Sequence, residues 1–396
     1  MSSESETLAT FSRDATRADR RTVSSLSGTL SSQDIGFRVL YCGLCHTDIH
    51  FILDDMAPSF PVTPGHEIVG VVTDVGRNVT KVKRGDKVAV GCMVDSCFGC
   101  RSCRALEEQY CLNGAVWTYG GVTKYGRSGP DGATTHGGYS DAFVVNQRFC
   151  FKLPGSAGAT YAPLLCAGVT TWDPLVRYGC LAGGKRVGIA GFGGLGHMGT
   201  KLAISMRCDA VVLSTSPNKE PAARAMGADF WLTTDAKAME QKVELAKTRV
   251  VTKQDAAVYG WQNPDSPMDS TRGEEGRVCL DLILDTVSAP HDVQTLVDLL
   301  APDGTLVLLG LDARPFALAA NALVFSRKVV RGSLIAGTES TEKCLDYCEK
   351  NKVFPEVRVI DAEKTVDALK TLHRKNDAAV RYVLDCSTIP KARAAA

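Results

Sequence analysis

The chain has 396 residues, 45 Lys and Arg against 44 Asp and Glu, 22% charged and 44% hydrophobic residues, and no apolar run long enough to cross a bilayer. At roughly 100–200 residues per domain, this length implies two or three domains, each able to bury a core without disulfides. A formal net charge of +1 and the lack of any block of like charges provide no field for nucleic acid or anionic lipid, so neither is expected as a partner.

The first 25 residues are polar and lack the apolar core of a secretory signal. Arg13, Arg17, Arg20 and Arg21 lie among Ser and Thr as in a mitochondrial presequence, but Glu4, Glu6, Asp14 and Asp19 break its acid-poor pattern, and cytoplasmic residence is the expectation. Fifteen cysteines in such a chain favour metal or thiol chemistry over disulfides.

From about residue 34 to 153, short runs of Val, Ile and Thr are separated by Gly, Pro, Asn and Asp. Residues 62–76, 85–94 and 139–153 read as strands of a mostly antiparallel region. After Pro154 the pattern changes to apolar strand-like runs at 185–192 and 210–216, each followed by a helical stretch. Two further strands, 280–286 and 304–311, flank a helix over 291–300. This alternation predicts a parallel sheet wound with helices. Beyond about residue 338 the character is mixed, with a helix over 340–352 and a last strand over 379–385. The stretch 240–278 reads as an inserted surface loop, because its later part carries turn residues and mixed charge without periodicity; a functional lid is the lesser option.

After the strand at 185–192 comes Gly191-Phe192-Gly193-Gly194-Leu195-Gly196, a G-x-G-x-x-G that opens a helix, with a second strand about 20 residues on. Glycines there allow a tight turn and let the backbone approach a pyrophosphate, which sits on free N–H groups at the helix start. At the end of the second strand an Asp or Glu would hold the ribose 2′-hydroxyl of NAD and repel a 2′-phosphate. This chain has Ser214, Thr215, Ser216 and Lys219 there, with no acid before Glu220, so NADP(H) is the expected cofactor.

Cys97, Cys100, Cys103 and Cys111 follow the spacing C-x2-C-x2-C-x7-C. Four thiolates close a tetrahedral zinc site and leave no place for substrate, so this is a structural metal; two cysteines beyond the first pair argue against a C-x-x-C redox motif. Cys45, His66 with Glu67, and Cys166 are dispersed, and spacing alone does not link them. As a set they offer Cys2His, a known catalytic zinc combination with a fourth position left for water or a substrate oxygen. Cys42-Gly43-Leu44-Cys45-His46 also matches the C-x-x-C-H of c-type haem attachment, an option that the lack of an export signal disfavours.

Taken in order, GLCHTDIH (43–50), PGHEIVGVVTDVG (64–76), GDKVAVG (85–91), the four-cysteine loop, LLCAGVT (164–170) and GFGGLGHMG (191–199) carry a resemblance. From about residue 34 to 386 the chain resembles the zinc-dependent medium-chain alcohol dehydrogenases, and within them the NADP-dependent, cinnamyl alcohol dehydrogenase-like subgroup. The resemblance implies an α/β protein. A GroES-like, mostly β catalytic domain would comprise residues 1–166 and 337–396, and a Rossmann, doubly wound parallel-sheet NADP-binding domain residues 167–336, with the active site in the cleft between them. It implies one catalytic zinc on Cys45, His66 and Cys166, with Glu67 as alternate ligand or neighbouring carboxylate, and one structural zinc on the four-cysteine loop.

By the same resemblance Asp48 orients His66, Thr47 bonds the reacting oxygen and sits against the cofactor, and His50 exchanges the proton with solvent. Thr170, Thr286, Gly310, Ser333, Leu334 and Ile335 match positions that line the cofactor. The implied reaction is reversible hydride transfer between NADPH and a small aldehyde, giving a primary alcohol, by a homodimer. Three departures stand out: Glu220 replaces a phosphate-binding lysine, so that Lys219 must serve; Trp117 is one residue further from Cys111 than usual; and Leu334 replaces an aromatic residue, which leaves a preference for aromatic substrates open. Two other classes remain in view. One is a non-catalytic NADP-binding zinc protein, against which the retention of Cys45, Thr47, His50, His66, Glu67 and Cys166 argues. The other is a thiol redox sensor using some of the nine remaining cysteines.

Overall fold

The computed structural model describes residues 30–52, 62–126, 131–248, 279–312, 314–374 and 380–389, together with short strand pairs within 5–23. Residues 249–278, most of the expected insertion, lie outside the described residues, as does most of the stretch before residue 30. The chain divides into two compact units, Met1–Val169 with Ile335–Ala396, and Thr170–Leu334. These breaks are at 169/170 and 334/335, whereas the resemblance implied 166/167 and 336/337. Among the described residues no helix is long and apolar enough to cross a membrane.

The first unit is built on a seven-stranded sheet. Asp34–Gly43 is its longest strand and pairs antiparallel with Ile68–Val75, Ala142–Asn146 and Val380–Asp385. Ile68–Val75 pairs in turn with Lys87–Val90, and that strand with Phe151–Leu153, both antiparallel, while Glu356–Ile360 joins Val380–Asp385 in parallel. Because inward residues such as Ile35, Phe37, Val39, Ile68 and Val88 are buried, the alternation visible in the sequence faces one core. Two segments that sequence left without assignment are ordered elements here: the strand Glu356–Ile360 and the helix Thr365–Arg374.

The second unit holds a six-stranded sheet with all pairs parallel, in the order Asp229–Leu232, Asp209–Ser214, Arg186–Ala190, Leu280–Asp285, Leu300–Leu308, Val329–Gly332. In chain order this is the doubly wound arrangement 3-2-1-4-5-6, which puts ligands at the carboxyl ends of its central strands. All five residues of Arg186–Ala190 are buried, as expected of a parallel strand covered on both faces. The strand expected at 304–311 begins earlier and ends earlier, at Leu300 and Leu308. Sequence also missed the two outer strands, Asp229–Leu232 and Val329–Gly332. The expected loop over 240–278 is corrected in its first part: Ala236–Thr248 is a helix, held to the sheet by Met239 and Val243 in the core around Trp231.

Candidate active site

The strand Asp34–Gly43 leads through Leu44 into the helix His46–Ile52, so Cys45 sits at the strand-to-helix corner. His66 and Glu67 immediately precede the strand Ile68–Val75, and Cys166 precedes the helix Ala167–Arg177. The fold brings these four buried residues together, with one ligand atom from each within 4.8 Å of all the others. Cys45 Sγ and Cys166 Sγ are 3.7 Å apart. Tetrahedral zinc with sulfur at about 2.3 Å requires an S···S edge of about 3.8 Å, so the pair fits the metal without adjustment. His66 Nε2 and Glu67 Oε2 are buried with no hydrogen-bond partner, as atoms reserved for a metal would be. The donor set and its spacing therefore suit zinc.

His66 turns its other ring nitrogen, Nδ1, to within 3.5 Å of Asp48 Oδ1. Asp48 is fully buried and also accepts from Tyr119 Oη (2.6 Å), Gly65 N (3.1 Å), Cys45 N (2.8 Å) and Tyr139 Oη (2.9 Å). Neither tyrosine was legible as a site residue. Burial raises both phenols well above the ordinary range, with the Asp48 charge adding to it, so they act as donors. Sequence also missed Arg381, whose buried guanidinium donates to Glu67 Oε1 at 2.5 Å. Burial pushes Glu67 up to about 8, against the pull of Arg381. Gly43 makes room for that carboxylate, since a Cβ there would stand 1.9 Å from Glu67 Oε2. Thr47 Oγ1 is 3.5 Å from Cys45 Sγ, and His50 follows one turn later on the same helix.

The four-cysteine loop forms a second cluster in the same unit, with all four sulfurs within 4.8 Å of one another and Cys97 Sγ 3.8 Å from Cys103 Sγ. Here the backbone supplies the electrostatics. Cys100 N lies 3.3 Å from Cys97 Sγ, Leu112 N 3.4 Å from Cys100 Sγ, and Cys97 N 3.5 Å from Cys111 Sγ. The Cys100 N–H pulls the Cys97 thiol down to about 6, whereas burial pushes Cys103 up to about 12. Phe98 takes a positive φ of 60° to turn the chain between Cys97 and Cys100. Arg148 clamps the loop, donating to Cys103 O at 2.8 Å and to buried Glu108 at 2.7 Å, while Glu108 accepts from Thr338 N at 2.9 Å.

In the second unit the Gly-rich turn joins the strand Arg186–Ala190 to the helix Gly194–Ser205. Gly191 has φ +85°, and a Cβ on Gly196 would lie 2.1 Å from Gly191 O. Only glycine permits this cradle, which is what a dinucleotide pyrophosphate requires. Phe192 differs from its neighbours: its ring is buried and stacked on His197 with centroids 3.8 Å apart. Leu195 lies on the first turn of the helix. Ser214 ends its strand and accepts from Ser216 N at 3.2 Å; Thr215 is exposed, and Lys219 is partly so. Glu220, the acid that departs from the phosphate-binding pattern, is held by Arg224 Nε at 2.7 Å. Thr286 donates to Ala190 O at 2.8 Å, and a Cβ on Gly310 would meet Val287 O at 2.0 Å. Thr170 is buried in the helix Ala167–Arg177, Ser333 and Leu334 follow the outer strand, and Ile335 opens the returning segment of the first unit with φ 36°.

Of the nine remaining cysteines, Cys92 and Cys279 are partly exposed and the other seven are buried, which leaves little accessible thiol for a redox sensor.

Residues 31–155 match the alcohol dehydrogenase GroES-like domain, and residues 194–350 match the zinc-binding dehydrogenase domain. The chain is 37% identical over 364 residues to cinnamyl alcohol dehydrogenase 7 of Oryza sativa subsp. japonica, spanning 89% of this chain and 85% of that protein. It is 38% identical over 359 residues to NADP-dependent alcohol dehydrogenase C 1 of Mycolicibacterium smegmatis, spanning 90% of this chain and 91% of that protein. The fold matches a cinnamyl alcohol dehydrogenase of Sorghum bicolor with a TM-score of 0.84 at 34% identity, covering 99% of this chain and 100% of the other. The chain belongs to the zinc-binding alcohol dehydrogenase family of oxidoreductases, in its cinnamyl alcohol dehydrogenase-like group.

Proposed function

We propose that this enzyme reduces small aldehydes to primary alcohols with NADPH, with a catalytic zinc on Cys45, His66 and Cys166, Glu67 beside it, and a structural zinc on Cys97, Cys100, Cys103 and Cys111. The observation that carries this reading is the convergence of Cys45, His66, Glu67 and Cys166 within 4.8 Å from three separate stretches of sequence. Zinc, when bound, polarises a carbonyl or lowers the pKa of an alcohol. NADPH, when bound, supplies the hydride. The chain's own residues do the rest. Asp48 fixes the His66 ring so that Nε2 faces the two sulfurs. Thr47 holds the transferred proton on its hydroxyl, and partly exposed His50, one turn along the helix, exchanges it with water.

NADP(H) is favoured over NAD(H) by Ser214, Thr215, Ser216 and Lys219, and by the Arg224 contact that offsets the charge of Glu220. Gly191, Gly193, Gly194 and Gly196 give the pyrophosphate its backbone cradle, with Phe192 and Leu195 contributing main chain, and Thr170, Thr286, Gly310, Ser333, Leu334 and Ile335 complete the proposed lining. Reduction is the working direction because cells hold NADP mostly reduced. All fifteen cysteines are unpaired, which suits the reducing cytoplasm. Two copies pair through the outer strand Val329–Gly332, which has one neighbour among the described residues and follows Val324 and Phe325, 70% and 82% exposed.

The test is zinc content per chain together with consumption of NADPH and of NADH over a panel of aliphatic and aromatic aldehydes. About two zinc per chain with NADPH-dependent turnover is the expected result. Zinc without turnover on any aldehyde would overturn the catalytic reading, and a preference for NADH would overturn the reading of the Ser214–Lys219 turn.

A further inference from the structure

The strand Leu280–Asp285 ends on a buried carboxylate that the proposed reaction does not use. Asp285 Oδ1 accepts from Val287 N at 3.1 Å, and Oδ2 lies 2.8 Å from His291 Nε2. The other ring nitrogen, His291 Nδ1, is 2.9 Å from Ala289 O. A carboxylate and a carbonyl both only accept, so each ring nitrogen must carry a hydrogen. Neither neutral tautomer satisfies both contacts; the imidazolium does.

This charged pair closes the five-residue loop Thr286–Pro290, and the loop is a wall with fixed neighbours on both sides. On one side Thr286 Oγ1 donates to Ala190 O at 2.8 Å, beside the Gly-rich turn. On the other, Leu309 N and Gly310 N reach Asp285 O at 2.8 and 3.0 Å, and Leu311 N reaches Ser288 Oγ at 3.1 Å. The wall thus stands at the carboxyl edge of the central strands, where a doubly wound sheet binds its dinucleotide.

We propose that His291 is a positioning residue for the dinucleotide: by gripping Asp285 as an imidazolium it fixes the Thr286–Pro290 wall, and cofactor affinity depends on its proton. This rests on the reading that the Gly191–Gly196 and Thr286–Gly310 edge takes NADP(H). The charged groups that face His291 are Asp285 on its own segment and Asp312 from the loop after Leu300–Leu308, the latter also paired with Arg314 at 2.9 Å. The hydrogen bond to Asp285 leads the effects that hold His291 up to about 9.

The experiment is titration of the zinc-loaded enzyme with NADPH, read by nucleotide fluorescence, from about pH 7 to about pH 10, for the native chain and for His291→Gln and Asp285→Asn. For the native chain we expect a Kd that is flat below about pH 8 and rises above about pH 9. For His291→Gln we expect a Kd weakened about tenfold at pH 7, as for a lost charge-assisted hydrogen bond, and a profile with the upper rise removed. Should the variants not fold, the imidazole nitrogen signals of the native enzyme decide the matter, because a His291 ring that loses its proton near pH 6.5 overturns the proposal. An equal Kd and an equal pH profile in native enzyme and His291→Gln also overturn it while leaving the NADP(H) reading intact. Failure of the native chain to bind NADPH at any pH sinks that reading instead, and this inference with it.

Discussion

Asp48 offers the sharpest test of how the candidate metal centre is held. Its Oδ1 takes Tyr119 Oη and Gly65 N and faces His66 Nδ1; its Oδ2 takes Cys45 N and Tyr139 Oη. Replacement by Ala strands four buried donors, each costing about 1–3 kcal/mol when unmet. Water entering the vacated volume recovers part of this, leaving a loss of about 4–6 kcal/mol, which is comparable to the whole stability of many domains. Asp48→Asn keeps the volume, but whichever way the amide turns, its NH2 group meets two donors, so a loss of about 3 kcal/mol is expected. The same substitution replaces the carboxylate that faces His66 Nδ1 with a neutral amide and should weaken zinc on the order of 10- to 100-fold. Urea denaturation with zinc in excess measures the first effect, and competition against a chelator of known affinity measures the second. Tyr139→Phe, which removes one donor and leaves three, should cost only about 1 kcal/mol. If Asp48→Asn unfolds within about 1 kcal/mol of the native chain and binds zinc equally well, the carboxylate does not hold the centre together and the argument fails.

Gly196→Ala puts a methyl 2.1 Å from Gly191 O and should weaken NADPH binding at least about tenfold, with an unchanged circular dichroism spectrum. Cys100→Ser should lower zinc content from about two to about one per chain and the unfolding midpoint with it, since a structural site contributes its binding energy to folding. Arg381→Met leaves Glu67 buried without its partner and should cost about 3–5 kcal/mol in denaturation, most of which the double variant Glu67→Gln, Arg381→Met should recover. Arg224→Ala exposes the charge of Glu220 and should shift the ratio of NADPH to NADH dissociation constants by about threefold against NADPH, an effect that salt should erase because the pair is partly exposed.

What could be read from sequence was what lies close together in it. The Gly-rich turn and the four-cysteine loop each occupy fewer than about 16 consecutive residues, and their spacing is their geometry. The Asp48 and Glu67 networks are the reverse case, since Tyr119, Tyr139 and Arg381 join them from 71, 91 and 314 residues away. A faint signal did exist for Arg381: an arginine inside the apolar run of Val380–Asp385 is seldom buried without an acidic partner. The missed strands Asp229–Leu232 and Val329–Gly332 are four residues long and lie at the sheet edges, where a short run carries little alternation. Ala236–Thr248 escaped because part of its inner face is not apolar by residue type. Lys242 is buried with its Nζ 5.3 Å from the centroid of the Trp231 ring, so the position reads as polar while its stem serves as core.

The two metal clusters also show why burial and charge must be considered together. As two thiolates and a neutral imidazole, the ligands Cys45, Cys166 and His66 carry two negative charges, which a dication cancels, while Glu67 beside them is paired with Arg381. A charged residue left over would be costly there, and Arg381 is what keeps Glu67 from being one. The four-cysteine loop carries four thiolates against the same dication and so keeps two negative charges when loaded. It lies nearer solvent, with Cys97 and Cys100 partly exposed, and three backbone N–H groups point at its sulfurs. Neutrality suits a centre that must receive an uncharged carbonyl in a dry site. A residual negative charge is tolerable where the metal only closes a loop, and the sequence difference between the clusters, a histidine and a carboxylate in place of two cysteines, follows from that division of labour.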